Sequence, residues 1–288
     1  MTPDEFAEFR KFEDTSFGRI AYAEVGDGRP VVFLHGVPLS GYHWRRQLKA
    51  FRATRRCIAP DLMGLGHTEV DEDQDLSFPA QARMILMLLD ELGVDRFDLV
   101  ANDSGGAVAQ LMAVADPQRL RTLTLTNCDV HDNWPPPAFV QTFQLARAGR
   151  LGEVSNELIA NLGLARSDLG LGVGFENPEC VTPELLQAYL GPIAGNEKRQ
   201  RQLDRYVASM DCQQTVAIHE DLKKLAVPTL IVWASEDVFF PVRWAAWLRD
   251  TIPGAKDVIE IPGARLFFCE ERAEEVNACL RSFWQALG

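Results

Sequence analysis

Hydrophobic positions along the chain fall into two kinds of run that alternate for most of its length. Short apolar, β-rich runs occur at Arg19 to Val25, Val31 to Leu34, Arg56 to Ala59, Phe97 to Val100, Thr122 to Thr126, Thr229 to Ala234 and Val258 to Ile261, bounded by Gly, Pro and Asp. Between them, apolar residues recur at helical spacing over Tyr42 to Phe51, Phe78 to Leu92, Gly106 to Ala115, Val242 to Arg249 and Ala273 to Leu287. The stretch from Phe78 carries Ile85, Leu88, Leu89 and Leu92 on one side, the face expected to pack on a sheet. Strands separated by helices predict a mostly parallel sheet covered on both faces.

From about His131 to Ala226 the alternation stops. The chain there is helical in pattern with Pro and Gly interruptions, including Trp134-Pro135-Pro136-Pro137 and the segment from Gly163 to Gly174. A block inserted between two strands predicts a lid over the C-terminal edge of the sheet, where open α/β sheets bind ligands. A helical subdomain with no gating role would carry the same pattern. The division expected is a core of residues 1–130 and 227–288 with a cap of 131–226.

The run Leu99-Val-Ala-Asn-Asp-Ser-Gly-Gly-Ala-Val-Ala-Gln110 is an apolar strand entering a sharp small-residue turn and leaving as a helix. Such an elbow holds one side chain in a strained position above the sheet, so residues two before and two after it must be small. Ala101 and Gly105 flank Asp103 in that way. The competing register puts Ser104 at the tip between Asn102 and Gly106, and Asn102 is large for the position. A carboxylate at the tip makes an alkyl ester where a serine makes an acyl-enzyme.

Composition narrows the partners. At 288 residues and 47% hydrophobic, the chain suits one large α/β domain with an insertion. A formal charge of -12 disfavours nucleic acid, whose affinity rests on Lys and Arg contacts, and a small neutral ligand fits better. The six cysteines form no Cys-x-x-Cys pair and no metal spacing with the five histidines, so reduced thiols are expected, with neither metal nor cofactor. The acidic N-terminus lacks a signal-peptide core and no apolar run approaches about 18 residues, so a cytoplasmic, non-membrane protein is expected. Nothing in the composition fixes an oligomeric state.

The elbow, the alternation and the insertion together resemble the α/β-hydrolase superfamily over nearly the whole chain. His35-Gly36-Val37-Pro38 resembles its His-Gly-x-Pro loop, Asp61-Leu62-Met63-Gly64-Leu65-Gly66 its Asp-x-x-Gly-x-Gly turn, and Ser235-Glu236-Asp237 the loop carrying its triad acid. An Asp elbow with His-Gly-x-Pro is similar to the haloalkane dehalogenase and epoxide hydrolase branch. The resemblance implies an eight-stranded, mostly parallel sheet flanked by helices, with a helical cap after strand 6. It also implies Asp103 as nucleophile, Asp237 as the acid orienting a base, and the Val37 and Ser104 amides as oxyanion hole.

Two positions depart from that branch. Its base histidine lies in a stretch like Pro-Gly-x-x-His-Phe, and this chain reads Pro262-Gly263-Ala264-Arg265-Leu266-Phe267. Leu266 cannot accept a proton, and loss of a general base forfeits about 10²–10⁴ in rate. Among the histidines, His35 is expected to fix backbone, His43 to lie in a surface helix, His67 in a turn and His219 in the last cap helix. His131, at the seam of core and cap, is the candidate for a relocated base, with Asp129 or Asp132 to orient it; a lid hinge is the alternative. The Trp expected straight after the nucleophile is replaced by Ser104. Trp134 is a candidate leaving-group donor, and Tyr189 and Tyr206 are candidates to protonate an epoxide oxygen, although all three also suit packing. Phe267 and Leu266 are expected to line an apolar site, and Glu270-Glu271 to form the acidic first turn of the last helix.

Two classes of function follow. One is hydrolysis of a small apolar electrophile through an aspartyl ester, epoxide ahead of haloalkane. The other keeps the fold without hydrolysis, as a lyase or isomerase or as a small-ligand receptor, because Leu266 stands where the base would be.

Overall fold

A computed structural model describes residues Met1–Gly288. Eight strands form one sheet: β1 (Arg10–Thr15), β2 (Gly18–Val25), β3 (Arg29–Leu34), β4 (Arg55–Pro60), β5 (Phe97–Asp103), β6 (Leu120–Cys128), β7 (Thr229–Ala234) and β8 (Ala255–Ile261). Their order is β1-β2-β4-β3-β5-β6-β7-β8. β1 and β2 pair antiparallel at one edge, β2 meets β4 antiparallel, and every later pairing is parallel. Strands β5 and β7 are buried along their whole length, as expected for central strands covered on both faces. β1, at the sheet edge, has no buried residue and no apolar run, and the hydrophobic pattern passes over it.

The helices follow the sequence pattern closely. Phe78–Glu91 starts with a Ser77 cap, whose hydroxyl accepts from the Ala80 amide, and Pro79 sits in its first turn. Its Ile85, Leu88 and Leu89 are fully buried against the sheet, with Leu92 at the edge. The helix Ser104–Ala115 is buried on nearly all sides, and its mean composition is small rather than amphipathic for that reason. A Cβ on Gly105 would lie 2.5 Å from the His35 carbonyl, so glycine is required where this helix crosses β3.

Between β6 and β7 the chain forms a helical layer that includes Val140–Arg147, Leu151–Ala160, Pro183–Leu190 and Glu197–Ser209. Buried Arg199 pins this layer to the core by donating to the carbonyls of Leu65, at 2.9 Å, and Gly66, at 2.7 Å. That loop is itself organised by Asp61, which accepts from the Gly41 and His67 amides at 2.7 Å each. The spacing Asp-x-x-Gly-x-Gly is therefore a turn in which one carboxylate satisfies buried backbone donors.

A second tie corrects two expectations. His43 is wholly buried rather than on a surface helix, with Nδ1 3.2 Å from Glu270. Glu270 is not a solvated first-turn acid: it accepts from Arg45 at 2.6 Å and from the Tyr189 hydroxyl of the cap, and lies in a separate short helix, Phe268–Glu271. Its pKa is pushed down to about 2: burial alone would raise it, and Arg45 and His43 outweigh that. Neighbouring Glu271 reaches the cap as well, accepting from the Glu176 and Asn177 amides at 2.7 and 2.9 Å.

Candidate active site

Asp103 ends β5 with φ +55°, one of only two non-glycine residues in the left-handed region, and caps the following helix. Ser104 is that helix's first residue, so the tip of the elbow carries the carboxylate. Gly36 passes so close that any Cβ there would collide with the Asp103 side chain. Asn102 fits the preceding position by turning inward, donating from Nδ2 to Thr126 Oγ1 at 3.0 Å and to the Leu266 carbonyl at 3.3 Å.

The carboxyl of Asp103 is almost wholly buried. Burial and the neighbouring Asp237 push its pKa up to about 7, while hydrogen bonds from the Ser104 and Val37 amides act in the opposite direction. The Ser104 amide lies 2.5 Å from Oδ1. Both backbone donors expected to form an oxyanion hole therefore converge on this one carboxyl.

Asp237 follows β7 and is equally enclosed. Its Oδ1 accepts from the Phe239 amide at 2.8 Å and its Oδ2 from Asn127 Nδ2 at 2.7 Å. Burial again pushes its pKa up to about 7, against those hydrogen bonds and the charge of Arg265. Asn127 was not among the residues singled out in the sequence, since an amide at a strand end has no distinguishing spacing. It also accepts from the Ala234 amide at 2.6 Å and so ties β6 to the Asp237 loop.

A third carboxyl joins them. Asp129 is buried, neither of its side-chain oxygens has a hydrogen-bond partner, and burial with the charges of Asp103 and Asp237 raises its pKa well above the ordinary range. Three buried acids, with only the half-buried Arg265 acting against the charge of Asp237, favour neutral forms.

Above Asp103 opens a cavity of about 650 Å³. Its wall is mainly apolar, with Val37, Pro38, Trp134, Phe139, Phe240, Leu266 and Phe267 among its residues, and charged side chains only at Asp103, Glu157, Asp168 and Arg265. No histidine lies on it. His35 instead fixes backbone: Nδ1 meets the Gly36 carbonyl at 2.8 Å and Nε2 accepts from the Leu62 amide at 3.0 Å, and burial pushes its pKa down to about 4.

Several expected site residues lie elsewhere. His131, at φ +50°, stacks on Trp247 with ring centroids 4.8 Å apart and sits 5.0 Å from His219, so the structure does not bring it to the cavity as a relocated base. A sequence position beside the elbow strand does not decide on which side of the strand a ring points. Neither Tyr189 nor Tyr206 reaches the wall. Tyr189 is bound to Glu270, and the Tyr206 hydroxyl is 3.0 Å from Ser104 Oγ. Trp134 does reach the wall, and its buried indole N–H has no partner.

The sequence pattern of the alpha/beta hydrolase fold family matches residues 29–272 of the chain. Haloalkane dehalogenase 2 of Mycobacterium tuberculosis is 28% identical over 277 residues, covering 93% of this chain and 92% of that protein. A cis-3-alkyl-4-alkyloxetan-2-one decarboxylase of Shewanella oneidensis is 27% identical over 288 residues, covering 95% and 87%. The crystal structure of haloalkane dehalogenase DbeA from Bradyrhizobium elkani superposes with a TM-score of 0.77 at 26% identity, covering 96% of this chain and 98% of that one. With the eight-stranded sheet and the elbow, these matches place the chain in the alpha/beta hydrolase fold family, to which it belongs.

Proposed function

We propose that this chain is an enzyme in which the Asp103 carboxylate attacks a carbon of a small, largely apolar electrophile and forms an aspartyl ester. The observation that supports this most directly is the placement of Asp103, held in strained backbone at the base of an apolar cavity and addressed by two backbone amides. One carboxylate oxygen forms the new C–O bond as the leaving group departs with its bonding pair. The other stays on the amides as the ester carbonyl, where charge would build if water added to it.

Among electrophiles, the haloalkane is favoured over the epoxide. Both cap tyrosines are engaged away from the cavity, which leaves no tyrosine on its wall to protonate an epoxide oxygen, while the apolar wall that includes Trp134 suits an alkyl halide. Hydrolysis of the ester regenerates Asp103 and releases an alcohol, and with Leu266 in the base position that step is slow.

A second reading is favoured by Leu266 itself: a lyase reaction that needs no water. With a β-lactone, as in the named chemistry of the Shewanella relative, Asp103 attacks the ring carbon bearing oxygen, that C–O bond breaks, and the substrate's carboxylate is freed. Loss of CO2 then supplies the electron pair for an alkene and expels Asp103 as carboxylate. Atoms balance with no proton transferred.

Intact-protein mass after incubation with 1-bromohexane, 1,2-epoxyhexane and a cis-dialkyl β-lactone tests both readings. Mass gain on the wild type but not on Asp103→Asn supports the ester. Alkene and CO2 from the lactone, without a retained adduct, supports the lyase. Neither adduct nor product from any compound overturns the proposal.

A further inference from the structure

We propose that Arg265 forms a second subsite of the cavity, one that binds the carboxylate of a substrate whose alkyl chain runs along the apolar wall toward Asp103. Arg265 is the only basic side chain on the wall. Its guanidinium reaches the cap side of that wall, because one nitrogen donates to the Val173 carbonyl at 3.3 Å and Val173 lines the same cavity. That is the one hydrogen bond the side chain makes to the protein, which leaves most of its five donors without a protein acceptor.

Charge neutralisation of a neighbour does not account for this arginine. It forms no ion pair with any carboxylate of the chain. Asp237, whose charge it influences, has both oxygens already occupied, by Asn127 and the Phe239 amide. The other charged residues on the wall apart from Asp103, Glu157 and Asp168, are exposed acids, whereas Arg265 is half-buried. A planar guanidinium with free donors beside an apolar wall recognises a carboxylate, and two parallel bonds to it would fix the direction of the chain. The substrate class this selects is an alkyl electrophile carrying a carboxylate at the end remote from the reacting carbon.

The reacting end rests on the reading of Asp103 as nucleophile; the binding of the carboxylate does not, and the experiment keeps the two apart. Calorimetry with unreactive hexanoate and 1-hexanol measures the subsite alone. Hexanoate is expected to bind wild type about tenfold or more tightly than hexanol. That preference should vanish in Arg265→Gln and survive in part in Arg265→Lys. Adduct rates with 6-bromohexanoate and 1-bromohexane measure the same preference in the reaction. Equal affinities for hexanoate and hexanol, or a preference untouched by Arg265→Gln, overturn the subsite whether or not the bromides react. If neither bromide forms an adduct or releases bromide while hexanoate binding remains dependent on Arg265, the subsite stands and the alkyl-halide reading of the Asp103 reaction falls.

Discussion

Asn102, the residue before the elbow, donates its side-chain amide to the backbone carbonyl of Leu266 at 3.3 Å. The turn beyond β8 is thereby hung from the same strand that presents Asp103, and Leu266 shares the cavity wall with that carboxylate. Replacing Leu266 with histidine puts a proton acceptor on the wall without disturbing the backbone contact that positions it. Leu266→His should therefore speed release of an Asp103 ester by about 10²–10⁴ relative to wild type. The decay of the adduct mass after removal of excess reagent measures it, and an unchanged decay rate would count against Leu266 as the block.

Adduct formation should depend on pH through Asp103. The attacking form is the carboxylate, and burial pushes the pKa up to about 7. The rate is expected to rise about tenfold per pH unit below that value and to level off above it. Initial adduct rates from pH 5 to 9 check this; a profile flat from pH 5 upward would mean a carboxylate already ionised at the acid end.

Asp129 carries a stability cost with a definite sign. Its folded-state pKa lies above its unfolded value, so the unfolded chain releases the proton first and the folded state loses ground as pH rises beyond the ordinary carboxylate range. Asp129→Asn removes that cost. Thermal melting should show a gain of about 2–5 °C at pH 8 and little change at pH 4. A loss of stability at pH 8 would show that the carboxylate is paired in solution.

Glu270 is the opposite case. With its pKa pushed down to about 2 by Arg45 and His43, its contribution is fully present above the unfolded carboxylate pKa and is lost below it, as pH falls toward the folded value of about 2. Glu270→Gln leaves the half-buried Arg45 without its counter-charge and should cost about 3 kcal/mol at pH 7. The penalty should shrink on acidification. Denaturant unfolding at pH 7 and pH 3 measures both, and because Tyr189 is bound to the same carboxylate, protease nicking of the cap should rise with it.

The local features of this protein were legible in the sequence because they are written in periodicity and in residue size. Alternating runs specified the parallel strands and their helices, since a buried strand must be apolar and a covering helix must show one apolar face. Ala101 and Gly105 pointed to Asp103 because only small neighbours allow β5 and its helix to pass, and φ +55° at Asp103 is the result. The absence of histidine at Leu266 is likewise a property of the sequence alone.

Direction and pairing between distant residues belonged to the tertiary structure. Whether His131 faces the cavity or Trp247, whether Tyr189 meets a ligand or Glu270, and whether His43 is solvated or buried depend on how a ring turns about a fold assembled from residues far apart in the chain. The three carboxyls of Asp103, Asp129 and Asp237 come together only because β5, β6 and β7 lie side by side, and their raised pKa values come from burial, to which repulsion by neighbouring carboxyls adds at Asp103 and Asp129. Spacing along a chain encodes which face a residue takes on its own element; what that face meets is decided only when the elements pack.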